Sequence, residues 1–384
     1  MRVLTIFGTR PEAIKMAPVV RELEKFPGQI ESWVCVTAQH REMLDQVLSL
    51  FGIRPHADLN LMEEGQSLAS LTSRAVCALS EMLEDRKPDL VLVQGDTTTA
   101  MVAGLAAFYG KIPLGHVEAG LRTRCRYSPF PEEMNRRLLG ALATCHFAPT
   151  ERAAAALQGE GVPEENVFVT GNTVIDALHW LRGRPPSPEC VRFLTSLGLS
   201  TEGDVSRNGF RTLLVTAHRR ESFGKPLADV YRALKSIVCR NPDVQLVYPV
   251  HRNPNVRRTV LEVLAGDSRI HLVDPLPYES MVHLMARSYL ILTDSGGLQE
   301  EGPALGKPVL VLREETERPE GVEAGTAKVV GTDPAAIVEK AERLLHDLEA
   351  YRRMARSVSP YGDGHAAERI VQIVRERLSA RPPG

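Results

Sequence analysis

The sequence predicts an α/β protein built from two doubly wound parallel sheets. Three observations carry this. Short apolar runs alternate with amphipathic helical stretches along almost the whole chain, the pattern of βαβ units joined by right-handed crossovers. The alternation breaks once, over residues 183–210, where Gly, Pro, Ser and charge collect as in a linker. The polar clusters also fall where strands end, the edge at which open α/β sheets bind ligands.

The first series predicts strands at 3–7, 31–37, 89–94, 113–117, near His146 and at 167–170. Its helices are expected at 11–26, 40–51, 67–86, 97–109, 131–145, from Thr150 onward and at 174–181. Pro11 suits a first helical turn, where its missing N–H costs nothing, whereas Pro18 is expected to kink the helix. The second series predicts strands at 212–216, 245–250, 270–273, 289–292 and 309–312. Helices are expected at 226–240, 255–265, 278–287, from about Leu298, and at 334–348, 349–356 and 366–379. The expected domains are therefore 1–182 and 211–363, with 183–210 as linker, facing each other across a cleft.

Bulk properties exclude several classes. With 384 residues, 43% hydrophobic and 24% charged, the chain has core enough for two or three soluble domains. A net charge of −2 gives no pull towards nucleic acid or an anionic membrane. The six cysteines show no CxxC spacing and the eleven histidines no HExxH, so neither a metal centre nor a redox dithiol is expected. Scattered thiols fit a reducing cytoplasm. No apolar run reaches the length of a membrane span, and Met1 leads straight into an expected strand, so no signal peptide is expected.

The richest stretch is 293–321. Asp294-Ser295-Gly296-Gly297 turns a buried strand into a helix. Glycines let a ligand approach the backbone closely, and the helix's opening amides and dipole favour an anion such as a diphosphate. Behind them, Glu300 and Glu301 lie on different helix faces, so one is expected to meet the ligand; a carboxylate there suits ribose hydroxyls. The plainer reading is an ordinary strand–turn–helix with Asp294 or Ser295 as N-cap. Gly302–Lys307 is no P-loop, since Pro308 replaces the Ser or Thr that would hold magnesium.

Elsewhere, Gly8-Thr9-Arg10 follows the first strand, with Lys15 a turn later, where Arg10 is placed to clamp an anion or to pair with a carboxylate. Asp96 ends another strand, or merely caps the Thr-rich helix after it. Glu118 ends the next, with Arg122 or Arg124 as its plainer partner. Glu132 and Glu133 open a helix, where they also complement the dipole. Asp96, Glu118 and Glu132 thus gather at one sheet edge, and paired acids in a cleft can serve as acid and base. In the second half, His218, Arg219 and Arg220 follow one strand and His251 the next. The loop 317–321, with Arg318, shares the rim of the Gly-rich turn.

In combination, FGTRPEAIKMAP, VTAQHREMLDQVL, GDTTTA, GHVEAGLRT, YSPFPEEMNRR, TAHRRESFG, YPVHRNP, LTDSGGLQEEGPALGKPVLVLREETERPEG and SPYGDGHAAERI resemble the non-hydrolysing UDP-N-acetylglucosamine 2-epimerases of bacteria. They span nearly the whole chain in the family's order. The resemblance implies a GT-B architecture whose C-terminal helix, 364–384, packs back on the first domain. It implies a homodimer, without nucleic-acid or membrane partner, that interconverts UDP-GlcNAc and UDP-ManNAc at C2. The implied route eliminates UDP to 2-acetamidoglucal and re-adds it, with no cofactor. The family's catalytic acids fall on Asp96, Glu118 and Glu132, its histidine on His218 and its basic pair on Arg10 and Lys15. UDP contacts fall on Ser295, Gly296, Gly297 and Arg318, with Glu301 on the ribose. A second, allosteric UDP-GlcNAc position matches Gln39, His40, Arg219 and His251, but Gly65 stands where some members carry arginine. A cell-surface polysaccharide is the implied destination of the product. A hydrolysing epimerase or a GT-B glycosyltransferase are the alternatives.

Overall fold

A computed structural model describes residues 1–37, 41–61, 65–200, 209–219, 223–356 and 359–379. It comprises two compact units, Met1–His179 with Tyr361–Gly384, and Trp180–Pro360. The elements run β1 Arg2–Phe7, α1 Arg10–Leu23, β2 Glu31–Val36, α2 Arg41–Phe51, β3 Ala57–Asp58, α3 Leu68–Arg86, β4 Leu90–Gln94, α4 Thr98–Tyr109, β5 Leu114–Val117, α5 Glu132–Leu142, β6 Cys145–Ala148, α6 Glu151–Gly159, β7 Val167–Val169 and α7 Thr173–Arg182. They continue as α8 Pro188–Ser196, β8 Arg211–Thr216, α9 Lys225–Arg240, β9 Val244–Pro249, α10 Pro254–Leu264, β10 Ile270–Val273, α11 Tyr278–Arg287, β11 Leu290–Thr293, α12 Gly296–Ala304, β12 Val309–Val311, α13 Pro319–Glu323, β13 Ala327–Val329, α14 Pro334–His346, α15 Leu348–Met354 and α16 Ala366–Ser379.

The first unit holds a seven-stranded sheet in the order β3-β2-β1-β4-β5-β6-β7, parallel at every pairing. The order reverses between β1 and β4, where a doubly wound sheet opens a crevice at its strand carboxyl ends. β4 is buried at every residue, as a central strand covered on both faces must be. Leu4, Ile6, Val91 and Val93 pack in one core cluster with Leu71, Leu79, Ala103 and Ala106. The alanine-rich α4 lies so close to its neighbours that a Cβ on Gly104 would stand 2.8 Å from Leu139 and 3.0 Å from Leu114. α16 packs on α1. Its opening amide, Ala367 N, donates to Asp176 Oδ1 at 2.8 Å, one of the bonds that an uncapped helix start needs.

The second unit repeats the plan with a six-stranded parallel sheet, β10-β9-β8-β11-β12-β13. Leu213, Val215, Leu246, Leu290 and Leu292 form its core with Tyr231, Leu234, Ile237 and Val238 of α9. Among the described residues no helix is long and apolar enough to cross a membrane.

Several elements differ from expectation. The stretch read as linker contains α8, capped by Ser187, whose Oγ accepts from Cys190 N with Pro188 at the first position. Ser187 N and Oγ bind Glu279 at 2.8 and 2.7 Å; proline and serine here mark a helix start, not a bare connection. Pro18 lies inside α1, which continues through it to Leu23. The polar loop 317–321 contains the start of α13, and β3, β13 and α13 are too short to show a period. α12 starts at Gly296, two residues before the expected Leu298, so both glycines are helical.

Candidate functional site

The first unit gathers its polar residues at the carboxyl ends of β1, β4 and β5. Thr9 caps α1, and Glu12 completes a capping box, accepting from Gly8 N at 3.1 Å and Thr9 N at 2.7 Å. Its other oxygen takes Thr97 Oγ1 at 2.6 Å. Burial raises the Glu12 pKa against these bonds. Arg10, half-buried, is the first residue of α1.

Lys15 Nζ stands 2.6 Å from each Glu118 carboxylate oxygen. Asn172 Nδ2 donates to the same carboxylate at 3.0 Å, and Gln94 Nε2 also donates to it. Glu118 is 7% exposed and its φ is +60°. That left-handed backbone is costly for a glutamate and tolerated where the surroundings over-determine it. The expected partners Arg122 and Arg124 are not the ones that hold it; Arg122 pairs instead with Glu160 at 2.8 and 2.7 Å. A salt bridge four to six residues away is the local guess, but the sheet order delivers Lys15.

Asp96 is not the cap of α4. Thr97 is, accepting from Ala100 N, while the Asp96 carboxylate takes Arg136 Nε at 2.8 Å and Nη2 at 2.6 Å. Asn135 Nδ2 binds the Asp96 carbonyl at 2.8 Å, tying the first turns of α5 to the end of β4. The two acids opening α5 divide sharply. Glu133 is fully buried and satisfied by Thr123 N at 3.0 Å, Arg136 at 3.4 Å and Arg137 at 3.3 Å. Glu132 Oε2 is buried with no hydrogen-bond partner among the described residues. A buried acceptor left open in this way invites a ligand's donor. Beneath the cluster, His116 Nε2 lies 2.7 Å from Gly95 O. A carbonyl only accepts, so the ring donates from Nε2. Burial pushes the His116 pKa down to about 3.

In the second unit, the ends of β8, β9 and β11 meet. Asp294 Oδ2 accepts from His218 N at 2.6 Å and Arg219 N at 2.7 Å. Its Oδ1 is 3.3 Å from His218 Nδ1, so Asp294 orients the loop after β8 instead of capping α12. The His218 ring stacks on His251, centroids 5.2 Å apart and planes 5° apart. Burial, and then the neighbouring His218, lower the His251 pKa.

Ser295 occupies the N-cap of α12 without a side-chain cap bond; its amide donates to Thr293 Oγ1 at 2.9 Å. A Cβ on Gly296 would lie 3.8 Å from Arg318 Nη2, and one on Gly297 3.6 Å from Glu301 Oε2. A guanidinium and a carboxylate thus stand against successive glycines of one opening turn. Both Glu300 and Glu301 are buried, with different duties. Glu300 accepts from Arg318 Nε; Glu301 accepts from Tyr278 OH at 2.6 Å. This turn offers free amides, a dipole and a cation for an anion, with a hydroxyl acceptor one turn inside.

Gln39, His40 and Arg220 lie outside the described residues. Arg219 is half-buried, and Gly65 is exposed with φ +72°. Sequence reasoning missed Gln94, Asn172, Arg136, His116 and Tyr278. Gln94 and Asn172 do follow the rule of polar residues at strand ends; Tyr278 and Arg136 carry no local signal.

Comparison with known proteins agrees over both units. The family model described as UDP-N-acetylglucosamine 2-epimerase matches residues 21–375. The chain is 53% identical to the UDP-N-acetylglucosamine 2-epimerase of Salmonella typhimurium, covering 98% of each. Among solved structures it resembles UDP-GlcNAc 2-epimerase from Neisseria meningitidis bound to UDP-GlcNAc, at 49% identity and TM-score 0.89, covering 98% of this chain and 100% of that one. It resembles S. aureus MnaA in a co-structure with UDP at 47% identity and TM-score 0.88, covering 100% and 99%. The fold class is accordingly GT-B-like, with two Rossmann-like sheets, as the sequence predicts. With both units matched from end to end, the chain belongs to the UDP-N-acetylglucosamine 2-epimerase family.

Proposed function

We propose that this protein interconverts UDP-N-acetylglucosamine and UDP-N-acetylmannosamine, inverting C2 without net hydrolysis, by eliminating UDP to 2-acetamidoglucal and re-adding it. The acid cluster at the ends of β4 and β5 carries the reading: two carboxylates held by cations, and a third with an open buried oxygen. The C2 proton is weakly acidic, so its removal must accompany departure of the leaving group, and its return needs a second positioned acid. Asp96, Glu118 and Glu132 are the acids and bases. Ser295, Gly296, Gly297 and Arg318 bind the diphosphate and Glu301 the ribose. His218, with Arg10 and Lys15, completes the catalytic set. Charge developing on the diphosphate is stabilised by amides and cations already in place. Arg219 and His251, with Gln39 and His40, are proposed for a second UDP-GlcNAc position.

The protein acts as a cytoplasmic homodimer, supplying a cell-surface polysaccharide. Supporting the dimer, Phe108 and Tyr109 at the end of α4 and Leu138 on α5 are 60%, 66% and 46% exposed, and α4 packs on α5. Large exposed apolar side chains on two packed helices suit a subunit contact. All six cysteines are unpaired, which suits a reducing compartment.

Proton NMR with UDP-GlcNAc as sole substrate tests the activity. UDP-ManNAc is the expected product. Free ManNAc with UDP would identify a hydrolysing enzyme, and no reaction without an added acceptor would point to a transferase. Oxygen-18 in the C1–O–P bridge tests the route: elimination lets it scramble into the non-bridging β-oxygens. Label retained in the bridge through many turnovers in which the β-phosphate is free to rotate rules out C1–O cleavage.

A further inference from the structure

The second unit carries a cavity that none of the proposed chemistry uses. It measures about 400 Å³ and lies between β12, β13, α13, α14 and α15. That size falls in the usual range of small-molecule sites, roughly 300–1,000 Å³. Its floor is apolar: Leu310 and Leu344 are buried, and Met354 lines it beside them. On its rim Val322 is 37% exposed, and a Cβ on the neighbouring Gly325 would meet nothing within 4 Å, so the mouth is open.

The charged residues that line it are all cations, while Glu339 and Asp347 stand outside the lining, near enough to act on Lys328, Lys340, Arg343 and Arg353. Lys328, Lys340, Arg343 and Arg353 line the cavity, and no carboxylate does. Lys340 is paired with Glu339. Lys328, Arg343 and Arg353 make no ion pair among the described residues. Cations around a low-dielectric hollow repel one another and focus their field into it. An anionic head relieves that repulsion, and an apolar body replaces water on the floor.

We propose that this cavity binds a single-chain amphiphilic anion, its carboxylate or sulfate head on Lys328, Arg343 and Arg353 and its apolar chain on Leu310, Leu344, Val322 and Met354. A second nucleotide sugar fits poorly, because the apolar floor gives a uracil or sugar hydroxyls few partners, and unpaired polar groups are costly to desolvate.

The test is calorimetric titration of the full chain with dodecanoate below its micellar concentration. One saturable site is expected. The double variant Lys328→Glu/Arg343→Glu should weaken it by at least about tenfold. Dodecanol, with the same chain and no charge, should bind the wild type weaker by about the same factor. Val322→Trp, at an exposed position, should close the mouth and abolish binding. Unchanged UDP-GlcNAc turnover in these variants shows that they are folded. No saturable binding, equal affinity in the double variant, or displacement by UDP-GlcNAc each overturns the proposal. So does co-sedimentation with phosphatidylglycerol vesicles that the double variant loses, which would make this a membrane-facing patch instead.

Discussion

Glu132 and Glu133 are adjacent acids with opposite environments, and the contrast separates function from structure at the scale of one residue. Glu133 is satisfied by an amide and two arginines; Glu132 keeps a buried oxygen open. Glu133→Gln is expected to lower unfolding free energy by roughly 1.5–3 kcal/mol, the value of a hydrogen bond to a charged group, as read from urea denaturation. Glu132→Gln should leave stability within about 0.5 kcal/mol while slowing the two half-reactions unequally, so that UDP and 2-acetamidoglucal leak into solution. Equal losses of stability in the two variants would contradict this division. Glu301 makes the same kind of argument for binding. On the proposed assignment of Glu301 to the ribose, Glu301→Gln removes an ionic acceptor, and UDP affinity measured by calorimetry should fall by about 1.5–3 kcal/mol. Tyr278→Phe removes only the neutral donor to Glu301 and should cost about 0.5–1.5 kcal/mol. If Tyr278→Phe proves the more damaging, Tyr278 contacts the nucleotide directly.

Two helix starts decide matters at the scale of the element. α12 begins at Gly296, where an added Cβ finds only ordinary contact with Arg318, at 3.8 Å. Gly296→Val is therefore expected to fold, yet to fill the space that the proposed function assigns to the diphosphate at the opening amides. UDP affinity should drop by at least about tenfold with little change in melting temperature; a large fall in melting temperature would show that Gly296 serves packing. α16 begins on Asp176, which accepts from Ala367 N. Burial is the chief cause that raises the Asp176 pKa from 3.8 to about 6. The sign follows from proton counting: between these values the folded protein holds a proton that the unfolded chain has lost, so stability falls as pH rises through that window. Asp176→Asn keeps the oxygen acceptor without the charge. Its stability relative to wild type should rise between pH 4 and pH 7 by about 2–3 kcal/mol, the linkage value of a shift this size. A pH-independent difference between the two proteins would refute the assignment.

For the whole molecule, burial lowers histidine pKa values in both units, furthest at His116 and His146 of the first, while Asp176 opposes them in the same pH window. His116 and His146 face each other across β5 and β6, and burial lowers their pKa values to about 3 and about 4. Below the ordinary histidine value of 6.5 the unfolded chain binds protons that the folded one refuses, so stability is lost as pH falls from about 6.5 towards 4. Urea melts at pH 7, 5.5 and 4.5 should show a progressive loss, shallower in His146→Leu. An unchanged slope in that variant would mean that His146 titrates freely in the fold.

What the sequence by itself determined is local in origin. Apolar periodicity marks strands and helices, Pro11, Ser67 and Thr150 mark helix starts, and the glycines of 293–297 mark a turn that a ligand could approach. The two βαβ series and the polar residues at their strand ends were legible for that reason. α8, α13, β3 and β13 were not, because each is short or is punctuated like a loop. The partners of the acids were beyond reach as well. Lys15 and Asn172 meet Glu118 from 103 and 54 residues away, and Arg136 meets Asp96 from 40. No window along the chain contains such a pair. The sheet order β1-β4-β5-β6-β7 brings those side chains together, so the sequence named the acids, and the tertiary structure decided which are held by cations and which keeps an oxygen open.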